Sequence, residues 1–515
     1  MRSTGVLVLM VVGTLAVSHS AVADERSDAC HQVLYAFSQP SVTLIAARFV
    51  EADGGGAGYC RVAGTVLPDV GFEAQLPLPW NGRFYMVDNA GSGGRVNDRR
   101  MADARRMGYA AASTDQGYDY ATEGDSRYGY NNRQKEIDFG FRAVHVTVVA
   151  VKGVIEAFYD EPAAYAYFVG GSAGGRQGLM SAQRYPDDFD GVLISAPTLN
   201  ISKIQMWGLW KAQAMSGDGY VRPDQMPALA EAVYGRCDGL DGVMDGVIDN
   251  PLVCDFDPEA HLARCDGAAT ADCFTTAQIA ALAKIYDGVR DSEGRQLFPG
   301  QSPGAEIAGE QPPWMAARGP QSAWLDWVVY PESDTARYLS LAEAFMKYTA
   351  FDDDDPDYDW RTFDFDADPA RMAAMADIVD ADDPDLSALR ASGGKMIHYH
   401  HWADTAVPPV NSLNYFKQVL ETMGPVDDFY RFYLVPGGFH AAPGVGATNI
   451  PWFETLVAWV EEGEAPGELI GERVEDGEVV RTRRVCVYPE MAVYDGNGPE
   501  GSAESFVCAA APVVR

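Results

Sequence analysis

Through residues 24–199 the apolar positions come in short blocks set apart by glycine- and aspartate-rich punctuation. The block Gly82-Arg83-Phe84-Tyr85-Met86-Val87 predicts a buried strand, running into the loop Asp88-Asn89-Ala90-Gly91-Ser92-Gly93-Gly94. Residues 109–113 predict the next strand, which stops at Thr114-Asp115-Gln116-Gly117. Over residues 138–159 the period changes, and Phe141, Val144, Val148, Val151 and Ile155 fall on one helical stripe. Residues 165–169 and 191–195 return to strand-like runs. This alternation predicts an α/β chain whose mainly parallel sheet is covered by helices on both faces.

The pattern breaks after Asn200. Residues 200–388 hold aspartate-rich stretches, many prolines and four cysteines, without a run of strand–helix units. They predict an insertion with its own small core. Strand-like runs resume at 395–399 and 430–435, with a helix between them at 413–423. The tail from Gly467 predicts a strand pair closed by Cys486–Cys508. A chain of 515 residues exceeds what one ordinary core supports, so a large domain carrying an inserted cap is expected. The divisions are a leader at 1–23, a first body segment at 24–199, a lid at 200–388 and a second body segment at 389–515. Arg2, the apolar run 6–17 and Ala21-Val22-Ala23 form the leader signature, which predicts export to the periplasm or the medium.

Composition is that of a globular protein, 47% hydrophobic and 22% charged. The net charge of −35 argues against nucleic acid and anionic membranes as partners, since both demand basic surface. Eight cysteines suit an oxidising compartment and can pair in many ways. Sequence proximity suggests Cys30–Cys60, Cys237–Cys254, Cys265–Cys273 and Cys486–Cys508. Without a CxxC pair or histidines at finger spacing, zinc is disfavoured.

Candidate chemistry centres on Gly170-Gly171-Ser172-Ala173-Gly174. A strand at 164–169 precedes it and a helix at 176–184 follows. That is the setting of a nucleophile elbow, in which a strained turn lifts the serine hydroxyl above the sheet. A plain glycine-rich turn is the alternative, and a phosphate loop would need a Lys-Ser/Thr pair that is missing. On this fold the acid and then the histidine follow the serine. His440, the last histidine, lies in Pro436-Gly437-Gly438-Phe439-His440 after an apolar strand and is the candidate base. Asp404, after the 395–399 strand, is the candidate acid, with helix capping as its alternative role. His398, His400 and His401 are read as strand-end or pocket residues. The backbone N–H groups of Ala173 and of the Ala90–Gly91 loop, with Gly91 preferred, are the candidate oxyanion donors.

A second cluster lies in the insertion. Asp238, Asp241, Asp245 and Asp249 fall within twelve residues among glycines, a density that suits calcium though not at EF-hand spacing. A solvated acidic turn is the alternative.

These residues resemble the tannase and feruloyl esterase family. The likeness is carried by Asp138-Phe139-Gly140-Phe141-Arg142-Ala143-Val144-His145, by Gly174-Gly175-Arg176-Gln177-Gly178-Leu179, and by Asp188-Phe189-Asp190-Gly191. Trp80-Asn81-Gly82-Arg83-Phe84 and Asp359-Trp360-Arg361-Thr362-Phe363-Asp364 extend it. The resemblance implies an α/β-hydrolase fold, a Ser172–His440–Asp404 triad and a lid over the pocket. It also implies a structural calcium on Asp238, Asp241 and Asp245 with the carbonyls of Val243 and Val247. Esters of aromatic acids are the implied substrates, feruloyl-type first, then tannin gallates and terephthalate monoesters. Trp314, Trp324, Trp327 and Tyr348 are candidate pocket walls, and Arg318, Arg337 and Lys347 candidate carboxylate clamps. One departure stands out. The family's cysteine pair beside the serine and histidine is replaced by Gly171 and Ala441, which predicts an active triad with a more mobile histidine loop. It also leaves a non-catalytic, calcium-stabilised binding protein as the rival reading.

Overall fold

The computed structural model describes residues 13–51, 58–311, 316–329 and 337–510. Arg2, the start of the expected leader and Trp314 lie outside them, as does the side chain of Arg337. The first helix, α1 (Gly13–Ala36), runs through the expected cleavage point and buries Cys30 and Val33. No described helix is long and apolar enough to cross a membrane.

Nine strands form the central sheet. They are β1 (Val42–Val50), β2 (Tyr59–Val66), β3 (Val70–Pro77), β4 (Arg83–Val87), β5 (Ala110–Thr114), β6 (Tyr165–Gly171), β7 (Gly191–Ser195), β8 (Lys395–His401) and β9 (Tyr430–Val435). Their order is β1-β2-β3-β5-β4-β6-β7-β8-β9. From β5 onward every pairing is parallel. The first three strands form an antiparallel meander that joins at β5. The alternating expectation for residues 24–199 missed this meander.

Helices cover both faces, as an α/β-hydrolase requires. On one face α1, α3 (Ala143–Tyr159), α4 (Ala173–Arg184) and α9 (Pro409–Met423) enclose Phe84, Ala110, Phe168 and Ile194. On the other, α2 (Asp98–Arg106) and α10 (Trp452–Glu462) pack on Val87, Tyr167 and Tyr433. The helical stripe holds: Val148, Val151 and Ile155 are fully buried, each contributing roughly 1.5–3 kcal/mol of apolar transfer. A π turn, Asp138–Arg142, leads into α3.

Residues 200–388 supply no strand to the central sheet. Their main helices are α5 (Ile201–Ala214), α6 (Met226–Cys237), α7 (Thr276–Asp287) and α8 (Arg337–Tyr348). The expectation of a separate small core is corrected. One cluster joins Trp207, Tyr338 and Phe345 to Tyr118, Tyr128, Phe139 and Val407 of the body. Another joins Val233 and Trp324 to Ala403, Phe439 and Ala442. Helices this short cannot enclose a core alone, so they borrow apolar surface from the loops at the sheet's carboxyl edge.

The four disulfides are those between sequence neighbours. In the tail, two hairpins replace the single expected pair: β10 (Leu469–Glu475) with β11 (Glu478–Val485), and β12 (Glu490–Tyr494) with β13 (Phe506–Ala510). Cys486–Cys508 ties the end of the first to the second.

Candidate active site

Strand β6 runs mid-sheet between β4 and β7 and delivers Ser172 directly to α4. Ser172 has φ 59° and ψ −124°, a conformation that costs a non-glycine residue about 1–3 kcal/mol. Its surroundings hold it there. Its N–H donates to the Ser195 carbonyl at 2.9 Å, and its own carbonyl accepts from Thr198 N at 3.1 Å and Arg176 N at 3.2 Å. The helix begins at Ala173, three residues earlier than its sequence suggested. Gly174, Gly175 and Gly178 lie inside it because neighbours crowd them, not because the chain turns there. A Cβ on Gly175 would lie 2.8 Å from the Ser195 carbonyl oxygen, and one on Gly178 would lie 2.5 Å from Ile194 Cγ2.

The structure brings Ser172, His440 and Asp404 into one hydrogen-bonded line. Ser172 Oγ is 3.0 Å from His440 Nε2, and His440 Nδ1 is 2.7 Å from Asp404 Oδ2. Asp404 is fully buried, and its Oδ1 accepts from the N–H groups of Ala406 and Val407, both at 2.8 Å. Burial alone would raise its pKa. The charge and hydrogen bonds of His440 and His400 outweigh that and hold it well below the usual carboxylate range. The His440 loop is tied as well as packed. Phe439 and Ala442 bond each other's backbone, Val445 N donates to Gly437 O, and Gly444 pairs with Glu310. His401 Nδ1 lies 2.9 Å from the Phe439 carbonyl. These contacts hold the loop without a covalent tie to Gly171.

The neighbouring histidines are structural. His398 contacts Tyr430 and Ser412; His400 contacts Ser412 and the Val407 carbonyl, and its Nε2 lies 3.3 Å from Asp404 Oδ2, bracing the acid. Burial lowers the pKa of His401 to about 4, so it stays neutral at ordinary pH.

Two cavities meet at Ser172. The smaller, about 240 Å³, is lined by Tyr128, Phe139, Ile201, Trp327, Tyr338 and Phe345, with Gly91 and Ala173 beside the serine. Two buried polar atoms in its lining, Thr198 Oγ1 and Gln205 Oε1, have no hydrogen-bond partner among the described residues. The larger, about 1050 Å³, opens past Gly171 and Ala441 toward Arg100, Tyr399, His401, Asn449 and Glu472. A Cβ on Gly171 would approach Ser195 Oγ to 2.6 Å, so that hydroxyl must turn aside for any side chain there.

Of the candidate walls, Trp327 lines both cavities and meets the His440 ring edge-on at 5.6 Å. Trp324 is core, and Tyr348 packs against Arg127 and Tyr130. The candidate clamps are placed elsewhere: Arg318 pairs with Asp326 and Lys347 with Glu343. Sequence reasoning missed Arg95, which lines both cavities beside Ser172 and stacks over Tyr120. The loop was expected at the serine for its Ala90–Gly91 backbone, but no motif sets Arg95 apart from other surface arginines.

The aspartate loop lies against the tail hairpins. Asp238 accepts from Gly246 and Val247 N–H, and Asp241 from Val243 N–H. Among the described residues, Asp241 Oδ2 and both oxygens of buried Asp249 have no hydrogen-bond partner, and Arg483 Nε stands 3.9 Å from Asp249 Oδ2. Burial raises the pKa of Asp238, Asp241 and Asp249. Carboxylate oxygens left short of donors are hard ligands of the kind a hard cation takes. Arg483 and Arg481 compensate part of the charge at Asp245. Among the described residues, no three histidine, cysteine or acidic side chains converge as a ready-made metal cluster.

The sequence profile described as tannase and feruloyl esterase matches residues 55–509. An uncharacterised esterase of Xanthomonas campestris is 30% identical, over 99% of this chain and 96% of its own. The mono(2-hydroxyethyl) terephthalate hydrolase of Piscinibacter sakaiensis is 29% identical, over 88% of this chain and 85% of its own. The crystal structure of feruloyl esterase B from Aspergillus oryzae superposes with a TM-score of 0.82 at 27% identity. It covers 94% of this chain and 100% of that one.

Proposed function

The chain belongs to the tannase and feruloyl esterase family and is a carboxylic ester hydrolase, and on that premise we propose that it cleaves esters of hydroxylated aromatic acids with Ser172, His440 and Asp404 as its triad. The observation that carries this is the Ser172–His440–Asp404 relay at the mouth of an aromatic cavity. His440 Nε2 takes the Ser172 proton as Oγ adds to the ester carbonyl. The N–H groups of Ala173 and Gly91 receive the oxyanion, and Asp404 stabilises the imidazolium. The proton passes to the alcohol oxygen as its bond to the acyl carbon breaks. Water, deprotonated by the same imidazole, then attacks the acyl-enzyme, the acid leaves, and Ser172 regains its proton.

The small aromatic cavity suits the acyl group, and Thr198 and Gln205 offer polar atoms to ring hydroxyls. The wide chamber beside Gly171 suits the alcohol. Feruloyl-type esters therefore rank first, ahead of gallates and terephthalate monoesters. Rates on methyl ferulate, methyl gallate and the terephthalate monoester, for wild type and Ser172→Ala, test the reading. A Ser172→Ala enzyme as fast as wild type would sink it.

Two further elements belong to this proposal. The leader signature and the four disulfides support export, and the N-terminus of the exported protein should begin at Asp24. Calcium, held by Asp238, Asp241 and Asp245 with the Val243 and Val247 carbonyls, would stabilise the lid against the tail. Chelation should then lower the melting temperature by several degrees and added calcium restore it, whereas an unchanged Tm would remove calcium from the account.

A further inference from the structure

Beneath the elbow lies a charged pair that the proposed chemistry does not use. Asp88 follows β4 directly and is fully buried. Its Oδ2 accepts the Gly171 N–H at 2.9 Å, one residue before the nucleophile. Its Oδ1 accepts from Arg100 Nη1 at 2.7 Å. A Cβ on Gly174 would come within 2.0 Å of Oδ2, so the carboxylate sits in the space that this helical glycine leaves open. Asn97 closes the unit, its side chain accepting from Arg100 N at 3.3 Å and donating to the Asp88 carbonyl at 3.2 Å. Arg100 is half-buried and lines the wide chamber.

A carboxylate in this place brings an electrostatic difficulty. The first turn of α4 is where negative charge builds up on the reacting oxygen, and a second negative charge beside it opposes that build-up. We propose that Asp88 and Arg100 act as a charge-compensated positioning pair, in which the carboxylate fixes Gly171 and the guanidinium cancels its charge so that the oxyanion can form. This rests on Ser172 being the nucleophile. Burial pushes the Asp88 carboxyl up and Arg100 opposes the shift. Without Arg100 the carboxyl gains its charge as pH rises, over a range that burial moves upward. The other titratable groups facing the pair are Tyr85 from β4 and Tyr399 from β8, with Asp103 of α2 acting on Tyr85. Burial raises the pKa of both phenols, so they remain neutral across that range.

The test compares Arg100→Gln, Asp88→Asn and the double variant on methyl ferulate, each normalised to wild type at the same pH. Arg100→Gln, which leaves the Asp88 charge uncompensated, should lose about tenfold or more in kcat, the loss growing as pH rises, with KM little changed. The double variant, with neither charge, should regain most of the kcat that Arg100→Gln loses and show no added pH dependence. The amide oxygen that Asp88→Asn introduces can still accept the Gly171 N–H. A double variant no better than Arg100→Gln, or an Arg100→Gln loss that does not depend on pH, would make the pair a simple brace and overturn the proposal. Should Arg100→Gln fail to fold, Asp88→Asn and the double variant decide: similar kcat in the two sustains the proposal, since Arg100 then matters only while Asp88 is charged, and a double variant about tenfold or more below Asp88→Asn overturns it. Full activity in Ser172→Ala would instead strike the nucleophile reading, so the two failures are distinct.

Discussion

Asp404 is the residue where chemistry and fold can be separated. One oxygen serves the imidazole, and the other accepts two backbone N–H groups. In Asp404→Asn the amide oxygen can keep the backbone bonds while the NH₂ faces His440 and imposes the wrong tautomer. We expect kcat to fall by about 10⁴-fold with the circular dichroism spectrum and melting curve close to wild type; a loss under tenfold would count against Asp404 as the acid. Ser172, Asp404 and His440 were legible in the sequence because a reactive type in a glycine setting and a fixed chain order narrow the choice. Asp88, Arg95 and Arg100 were not. They are ordinary charged residues whose meaning comes from the parallel register that sets Val87 beside Val169 and so brings Asp88 under Gly171.

Helix α4 shows what pattern could and could not give at the scale of elements. Strand β6 and the body of α4 were readable from apolar runs, but the helix start was not, because glycines disfavour helix by propensity. Packing overrides propensity there, and Gly178 is the clearest case, with Ile194 and Phe168 within 3.0 Å of where a Cβ would be. Gly178→Ala should therefore destabilise the fold by about 1–3 kcal/mol despite alanine's better helix propensity, measured as a lower denaturation midpoint. An unchanged or higher midpoint would show that the contact relaxes freely. The β1–β3 meander escaped reading for a different reason. In β2 inward and outward positions alternate, so its run is less uniformly apolar than the central strands. The lid's shared core was equally invisible, since a period locates an apolar face without naming what covers it.

Over the whole molecule, acidity and burial act together. Burial pushes Asp115 up to about 6, and Glu136 and Asp380 up to about 7. In the unfolded chain such groups titrate near about 4. Between those values these three carboxyls hold protons in the folded state that the unfolded state lacks, so they raise stability as pH falls from about 8 toward about 5, against a smaller opposing contribution from the buried neutral His398 and His401. Denaturation midpoints at both ends of that window, taken in high salt to screen the net charge of −35, should show the rise. A flat or inverted trend would mean these carboxyls are not perturbed as stated. Lastly, the disulfides stand apart from the reaction centre. All eight cysteines are bound in disulfides, and none lines the two cavities at Ser172. A thiol reductant should therefore erode heat tolerance while the folded enzyme keeps turning over at room temperature. Inactivation by reductant, where it occurs, would report unfolding of the scaffold and not damage to the reaction centre.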